Sequence, residues 1–367
     1  MTVLRMRLIA VVSALLLLCV TFSSTAFAET KTPYWVIQDL RWWANDKIPV
    51  TRAEPALLWI GVKENIKMTL VDGPTQIPPS IKNDTKRWNF GEISNVDFFN
   101  KIKSGLKDGS IKISSKSKFN INDYKEREFS GFSPLFRTFA YKKDFVTVNG
   151  ELAPRDIQFE LRSDQNETYK KLTVNEKDAI VIAPLFTKSA YDEPGFYTYY
   201  RGECSTKCLT KKIQYANPYG YSGSSNALKV LNLLGYKTIT DVGVDTNPAI
   251  LSKYKKVIVL HSEYVTQTEF DAITKHPHVL FLYPNALYAK VTANYQNDTV
   301  TLIRGHNYPD KEIRNGFNWK LDNSKFEYDS TCKNLNFTKI KNGKMLNCFP
   351  EHIIFSDANL LKAIKDY

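Results

Sequence analysis

Within residues 255–288 the chain reads in order as a buried strand, a polar loop, a capped helix and a second buried strand. Val257, Ile258, Val259 and Leu260 form an unbroken apolar run, the pattern of a parallel strand covered on both faces. His261-Ser262-Glu263-Tyr264 follows at once, so ionisable groups begin where the run ends. Thr266 and Glu269 form a Thr-x-x-Glu capping box and Pro277 bounds the far end, which predicts a helix from Gln267 to about Lys275. The positive end of that helix dipole points at the loop. The next strand, Val279 to Leu282, ends in Tyr283, Pro284 and Asn285. If the two strands pair, His261, Glu263, Tyr264, Tyr283 and Asn285 share one rim, the edge at which open α/β sheets bind ligands.

The flanking sequence repeats the alternation. Ala179 to Ala183 reads as another buried strand. A helix capped by Ser224 or Ser225 follows, with the apolar face Ala227, Leu228, Leu231 and Leu234 and a stop at Gly235. A strand near Tyr236 to Ile239 comes next. The predicted fold class for residues 178–367 is therefore α/β with a parallel, doubly wound sheet. A hairpin is expected around Asn342-Gly343, and Leu360, Leu361 and Ile364 mark a short C-terminal helix. The loop from Tyr219 to Ser225 opens a helix and has a geometry that can cradle an anion. It lacks the Lys of a P-loop and the third Gly of a dinucleotide fingerprint, so a plain loop and cap is the simpler reading.

At the other end, Arg5 and Arg7 precede the apolar run Leu8 to Phe22, and Ala26-Phe27-Ala28 follows as a small-residue cleavage site. Residues 1–28 thus read as a secretory signal peptide; a retained anchor is the rival, but about 15 apolar residues fall short of the roughly 20 that span a bilayer. No other segment of the mature chain is long or apolar enough to span, so the expected location is secreted or cell-surface. Four cysteines remain after cleavage, Cys204, Cys208, Cys332 and Cys348, and an even count in an oxidising compartment favours disulfides. Local pairing, Cys204 with Cys208 and Cys332 with Cys348, is preferred because the Asn342-Gly343 turn would return Cys348 towards Cys332. Zinc is the rival, although neither pair has the usual two-residue spacing. Loss of Arg5 and Arg7 lowers the formal charge from +12 to +10, basic enough to attract an acidic envelope. The lysines are scattered and no nucleic-acid motif occurs, so nucleic acid is not an expected partner.

Residues 29–113 hold two copies of one pattern in a 45-residue register: Pro33, Asp39, Trp43, Ile48 and Ile66 fall opposite Pro78, Asp84, Trp88, Ile93 and Ile111. Each copy reads as a Trp-bearing helix, a turn, a second helix and a short apolar end. The two Trp rings would plug a shared small core, with carbohydrate or envelope contact by Trp42, Trp43 or Trp88 as the rival. The pattern resembles Trp-containing helical repeats of exported proteins of ammonia-oxidising archaea, a group whose activity the likeness does not supply. Pro49 and Pro55 depart from it and weaken the second helix of the first copy. Residues 114–177 read as a Ser/Lys linker and a β-rich connecting region, with Ile157, Phe159 and Leu161 alternating against polar neighbours.

At the rim, Glu263 has the chemistry of a general base or metal ligand, His261 of a proton carrier or ligand, and Tyr264 of an oxyanion donor or ligand. The bland alternative is a His and a Glu that brace a loop. The other histidines are His276 and His278, which flank Pro277 at the opposite end from the rim, with His306 and His352. The strand pair with its His-Ser-Glu-Tyr and Tyr-Pro-Asn tails resembles the class I glutamine amidotransferase-like fold, and within it the N,N-dimethylformamidase large-subunit type of domain. That resemblance implies amide hydrolysis with one metal ion held by Tyr and Glu side chains, Tyr264 and Glu263 being the matching positions. No Cys stands at the comparable strand end, so glutaminase chemistry is disfavoured. The expectation is an exported, metal-assisted hydrolase; the rival is a non-catalytic module attached to envelope glycan or surface-layer protein.

Overall fold

The computed structural model describes residues 32–175, 177–215, 219–319 and 326–367, and the predicted signal peptide lies outside them. Helices α1 (Tyr34–Ala44) and α2 (Val50–Lys63) lead to strand β1 (Thr69–Val71), and α3 (Pro79–Asn89) and α4 (Asn95–Asp108) lead to β2 (Lys112–Ser114). Tyr34 to Pro79 and Val50 to Asn95 are both steps of 45 residues, so the helices keep the sequence register. α2 runs through Pro55; a proline this near the N-terminus removes one ladder hydrogen bond without ending the helix. β1 and β2 pair in parallel, Thr69 beside Lys112, which clasps the two copies. The tryptophans do not share one core. Trp88 stacks on Phe98 at 4.2 Å among Ile102, Leu106 and Ile111, whereas Trp43 packs into the apolar cluster that continues into the α/β region. The first copy lies against that region, so its ring finds apolar partners there.

Five short strands follow: β3 (Glu126–Glu128), β4 (Phe136–Tyr141), β5 (Phe145–Val148), β6 (Glu151–Pro154) and β7 (Gln158–Leu161). β3, β4 and β7 form an antiparallel sheet, and β5 and β6 a hairpin. Helix α5 (Asn166–Leu172) then enters the largest sheet through β8 (Ala179–Ala183), α6 (Leu185–Tyr191), α7 (Phe196–Tyr200), β9 (Thr210–Lys212), α8 (Ser225–Leu233) and β10 (Lys237–Thr240). The chain continues through α9 (Asp241–Thr246), β11 (Lys256–Val259), β12 (Tyr264–Val265), α10 (Gln267–Lys275) and β13 (Val279–Phe281). It closes with β14 (Ala289–Asn294), β15 (Thr299–Arg304), β16 (Phe337–Ile340), β17 (Gly343–Leu346) and α11 (Ala358–Asp366).

The architecture is mixed α/β around a six-stranded sheet of order β10-β8-β11-β13-β17-β16. Alternate residues explain the unbroken apolar runs. Val181, Ile258, Leu280 and Leu282 face one apolar cluster with Leu228 of α8 and Leu361 of α11, while Ile180, Val257, Val259 and Phe281 face another with Val244 of α9 and Ile273 of α10. The prediction of a purely parallel sheet is corrected at its edge. β16 and β17 are antiparallel, joined by the two-residue turn Lys341-Asn342, because so short a connection can only reverse the chain. Gly343 begins β17 rather than the turn; a Cβ there would stand 1.8 Å from the Val279 carbonyl oxygen, so only glycine permits this approach. A second sheet, β12-β14-β15-β9, is antiparallel apart from its β12–β14 pair.

The cysteines pair as Cys204–Cys208 and Cys332–Cys348, with Cα separations of 6.1 and 5.3 Å. Two disulfides fit an oxidising compartment. Among the described residues no helix is long and apolar enough to cross a membrane.

Candidate functional site

β11 and β13 are neighbours, with Val257 beside Val279 and Val259 beside Phe281, so their C-terminal tails leave the sheet at the same edge. All five rim residues are buried, Glu263 completely. Their side chains do not share one hydrogen-bonded group: Glu263 meets Tyr191 and His306, Tyr264 meets Tyr200, Tyr283 meets Glu351 and His261 meets Ser222. The Glu263 carboxylate lies under three side chains from elsewhere in the chain. The Tyr191 hydroxyl, at the end of α6, donates to Oε2 at 2.9 Å, the Tyr197 hydroxyl of α7 lies 3.5 Å from Oε1, and the two phenol oxygens are 2.7 Å apart. His306 Nε2 meets Oε1 at 2.6 Å. His306 has a left-handed backbone, φ 57°, just after Gly305, where a Cβ would press on the Gly316 nitrogen and the Ala289 Cα. That tight turn delivers the imidazole from the end of β15, and the ring stacks on Tyr200 at 4.5 Å.

The electrostatics follow from this crowding. Burial pushes the Glu263 carboxyl up, but the hydrogen bond and charge of His306, the nearby His261 and the Tyr191 hydroxyl outweigh it and hold the group below its usual value. Burial disfavours the charged form of His306, yet the hydrogen bond and charge of Glu263, helped by Glu327, raise it above the usual histidine value. The pair is thus carboxylate and imidazolium. Burial, then the Glu263 charge, drives Tyr191 and Tyr197 upward, so both phenols keep their protons in this state. Glu327 is pushed up to about 7 by burial and by Glu263, against the pull of His306.

His261 differs from His306. Its Nδ1 faces the Ser222 carbonyl at 2.8 Å, and a carbonyl only accepts, so Nδ1 carries the hydrogen. Nε2 is then a lone pair, buried without a hydrogen-bond partner among the described residues and 3.8 Å from Glu263 Oε2. Burial lowers this imidazole below its usual value, against the charge of Glu263 and the Ser222 hydrogen bond. The result is a neutral proton acceptor facing the carboxylate.

The remaining rim residues have other roles than those expected. Tyr264 Oη donates to the Tyr200 hydroxyl at 3.3 Å; the phenols on Glu263 come from Tyr191 and Tyr197 instead. Tyr283 turns to Glu351, its hydroxyl 2.6 Å from Oε2. That carboxylate also receives the backbone nitrogens of Asn226 at 2.6 Å and Ala227 at 3.4 Å, and so caps α8. Ser224 does not cap it, since its backbone is left-handed, φ 56°, and its hydroxyl accepts from the His261 nitrogen at 3.2 Å. Asn285 sits at φ 65° with a buried Oδ1 that meets no hydrogen-bond donor among the described residues. His276 Nδ1 accepts from the His278 backbone nitrogen at 3.2 Å and its Nε2 faces the Tyr254 carbonyl at 3.2 Å.

Tyr191, Tyr197 and His306 escape a sequence reading. The aromatic run from Phe196 to Tyr200 is visible, but nothing local shows which hydroxyl reaches Glu263. Among the described residues no three His, Cys, Asp or Glu side chains gather as a metal-holding group. No family model matches the sequence, and no curated protein matches it either.

Proposed function

We propose that the chain is an exported, metal-assisted amide hydrolase whose site is built on Glu263, Tyr191 and Tyr197. The observation that carries the reading is the convergence of two phenol oxygens on one buried carboxylate, beside a neutral histidine whose lone pair faces the same point. The His-x-Glu-Tyr loop at a strand end is the feature through which residues 178–367 resemble the amidotransferase-like fold and its N,N-dimethylformamidase-type members. In this reading the sheet is doubly wound with an added antiparallel edge, and Tyr191 and Tyr197 replace Tyr264 as the tyrosine ligands. Among the described residues every cysteine is in a disulfide, which leaves thiol-based glutaminase chemistry without a nucleophile there.

The donor set is all oxygen, and it suits a hard cation. A cation held there would polarise an amide carbonyl and acidify a water molecule. Glu263 brings the fixed negative charge, and its depressed pKa fits a ligand better than a proton shuttle. The phenols, neutral beside a carboxylate, would lose their protons beside a cation, because a bound ion inverts the local pKa logic. His261 Nε2 is the proton acceptor, its tautomer fixed through Ser222. His306 anchors Oε1 and fixes the carboxylate's orientation, the part outer partners play around metal ligands.

The test is metal analysis of the mature chain prepared with magnesium, calcium, manganese and iron supplied. We expect stoichiometric metal in the wild type, loss of roughly tenfold or more in affinity in Glu263→Gln and Tyr197→Phe, and retention in Tyr264→Phe. A wild type that holds no metal under these conditions would remove the proposal. The second reading, a non-catalytic envelope module that contacts glycan or surface-layer protein, would then stand, and the fully hydrogen-bonded state of Glu263 is the observation in its favour.

A further inference from the structure

We infer that Asp241 and Glu269 share a single proton that ties the first turns of α6 and α10 together beside the loop from His261 to Tyr264, so that the loop is clamped at neutral pH and loosened as pH rises. The inference holds whichever reading of the Glu263 site stands. Asp241 opens α9 and Glu269 lies in the first turn of α10, and both are fully buried. Each spends one carboxyl oxygen on a helix start. Asp241 Oδ2 accepts from the Phe186 nitrogen of α6 at 2.5 Å, and Glu269 Oε2 accepts from the Thr266 nitrogen at 3.1 Å. The other two oxygens, Asp241 Oδ1 and Glu269 Oε1, are buried and meet no other donor among the described residues; the two carboxyl groups are hydrogen-bonded to one another.

Ionised carboxylates only accept, so a bond between two of them needs a proton on one, which also removes one of two facing buried charges. The surroundings hold that proton in place. Burial drives both groups well above the usual carboxylate range, and Asp245 of α9 adds a further negative charge. Asp245 itself receives the hydroxyls of Thr266 and Tyr295. Tyr295 of β14 and Tyr219 of the loop before α8 also face the pair, and burial pushes both phenols upward, so they stay neutral. Of the cations on adjoining elements, Lys188 donates to the Gln214 carbonyl, Lys237 to the Trp88 carbonyl and Arg41 to Thr238. Both tied elements reach the loop. α6 takes the Tyr264 nitrogen onto Thr187 Oγ1 at 3.1 Å and ends at Tyr191, whose hydroxyl meets Glu263, while α10 is capped by Thr266. Loss of the proton sets two buried negative charges against each other and drives the helix starts apart.

Urea titrations of the full mature chain between pH 5 and pH 10, wild type beside Asp241→Asn, Glu269→Gln and Asp241→Ala, test the assignment. An amide carries the bridging hydrogen at every pH, so the Asn and Gln variants should match the wild type at pH 5. Asp241→Ala should unfold roughly tenfold or more readily there, because it leaves buried acceptors and donors without partners. The folded pair sits above the unfolded value of about 4, so its contribution is complete below that pH and is lost as pH rises through the folded value. The unfolding constant of the wild type relative to either amide variant should therefore grow with pH, by up to about tenfold per unit. A ratio that stays flat, or amide variants as weak at pH 5 as Asp241→Ala, would overturn the inference, and the ratio decides even if the alanine variant does not fold. Hydrogen exchange locates the effect. Protection of the Phe186 and Thr266 amides relative to β11 should fall towards pH 10 in the wild type and persist in Asp241→Asn; equal protection in the two chains at pH 10 would remove the clamp.

Discussion

Glu263 combines complete burial with a negative charge, and His306 makes that combination possible. The two contribute to stability in different pH windows. Glu263 sits below its usual value, so its contribution is present above the unfolded pKa near 4.3 and is lost as pH falls through the folded value. His306 sits above its usual value, so its contribution is complete below the unfolded pKa near 6.5 and is lost as pH rises through the folded value. The pair is therefore worth most at mildly acid pH. Removing one partner of a buried ion pair costs about 3 kcal/mol, so urea titrations of His306→Gln should show a loss of that order near pH 5.5 that shrinks towards pH 8. A deficit that grows with pH would contradict the assigned charges. His261 and Glu263 are legible in the sequence because they follow an apolar run that can only be a covered strand. Tyr191, Tyr197 and His306 are not, because their approach depends on the tertiary course of α6, α7 and the turn at Gly305.

Elements whose signals are local are the ones the sequence reveals best. Both halves of the Thr266–Glu269 capping box form, and α10 spans the predicted residues. The α8 cap differs from the expected serine, because the Ser224 hydroxyl accepts from the His261 nitrogen and a carboxylate 125 residues away caps the helix. Glu351→Ala should cost roughly 1–2 kcal/mol through the lost cap, with a further loss from the Tyr283 hydroxyl left without its acceptor; thermal melts beside Tyr283→Phe separate the two. The hairpin was legible as a turn, but its effect on the sheet was not, since no local signal tells a strand which neighbour it will join. Asn342 explains the turn's position: its amide reaches the carbonyls of Ile273 and His276 at the end of α10. Gly343→Ala would drive a methyl group into the Val279 carbonyl. Overpacking of this kind costs about 1–3 kcal/mol, readable as a lower urea midpoint with an unchanged slope.

The molecule as a whole joins its repeats to the α/β region through polar contacts, two of them buried and one at the surface. Arg41 of α1 donates to Thr238 at 2.9 Å, Lys237 donates to the Trp88 carbonyl at 3.1 Å, and Lys47 pairs with Asp298 at 2.6 Å. The 45-residue register shows in the sequence because it repeats, whereas this docking does not, because its partners are single residues on strands far away. Thr238 and Lys237 belong to β10, the outermost strand on that side of the largest sheet. An outermost strand offers unpaired main-chain groups to any neighbour unless something covers it. The repeats touch that strand through the Arg41 and Lys237 side chains. A fragment comprising residues 114–367 would present a naked flank, and light scattering should show it self-associating at concentrations where the longer chain stays dispersed.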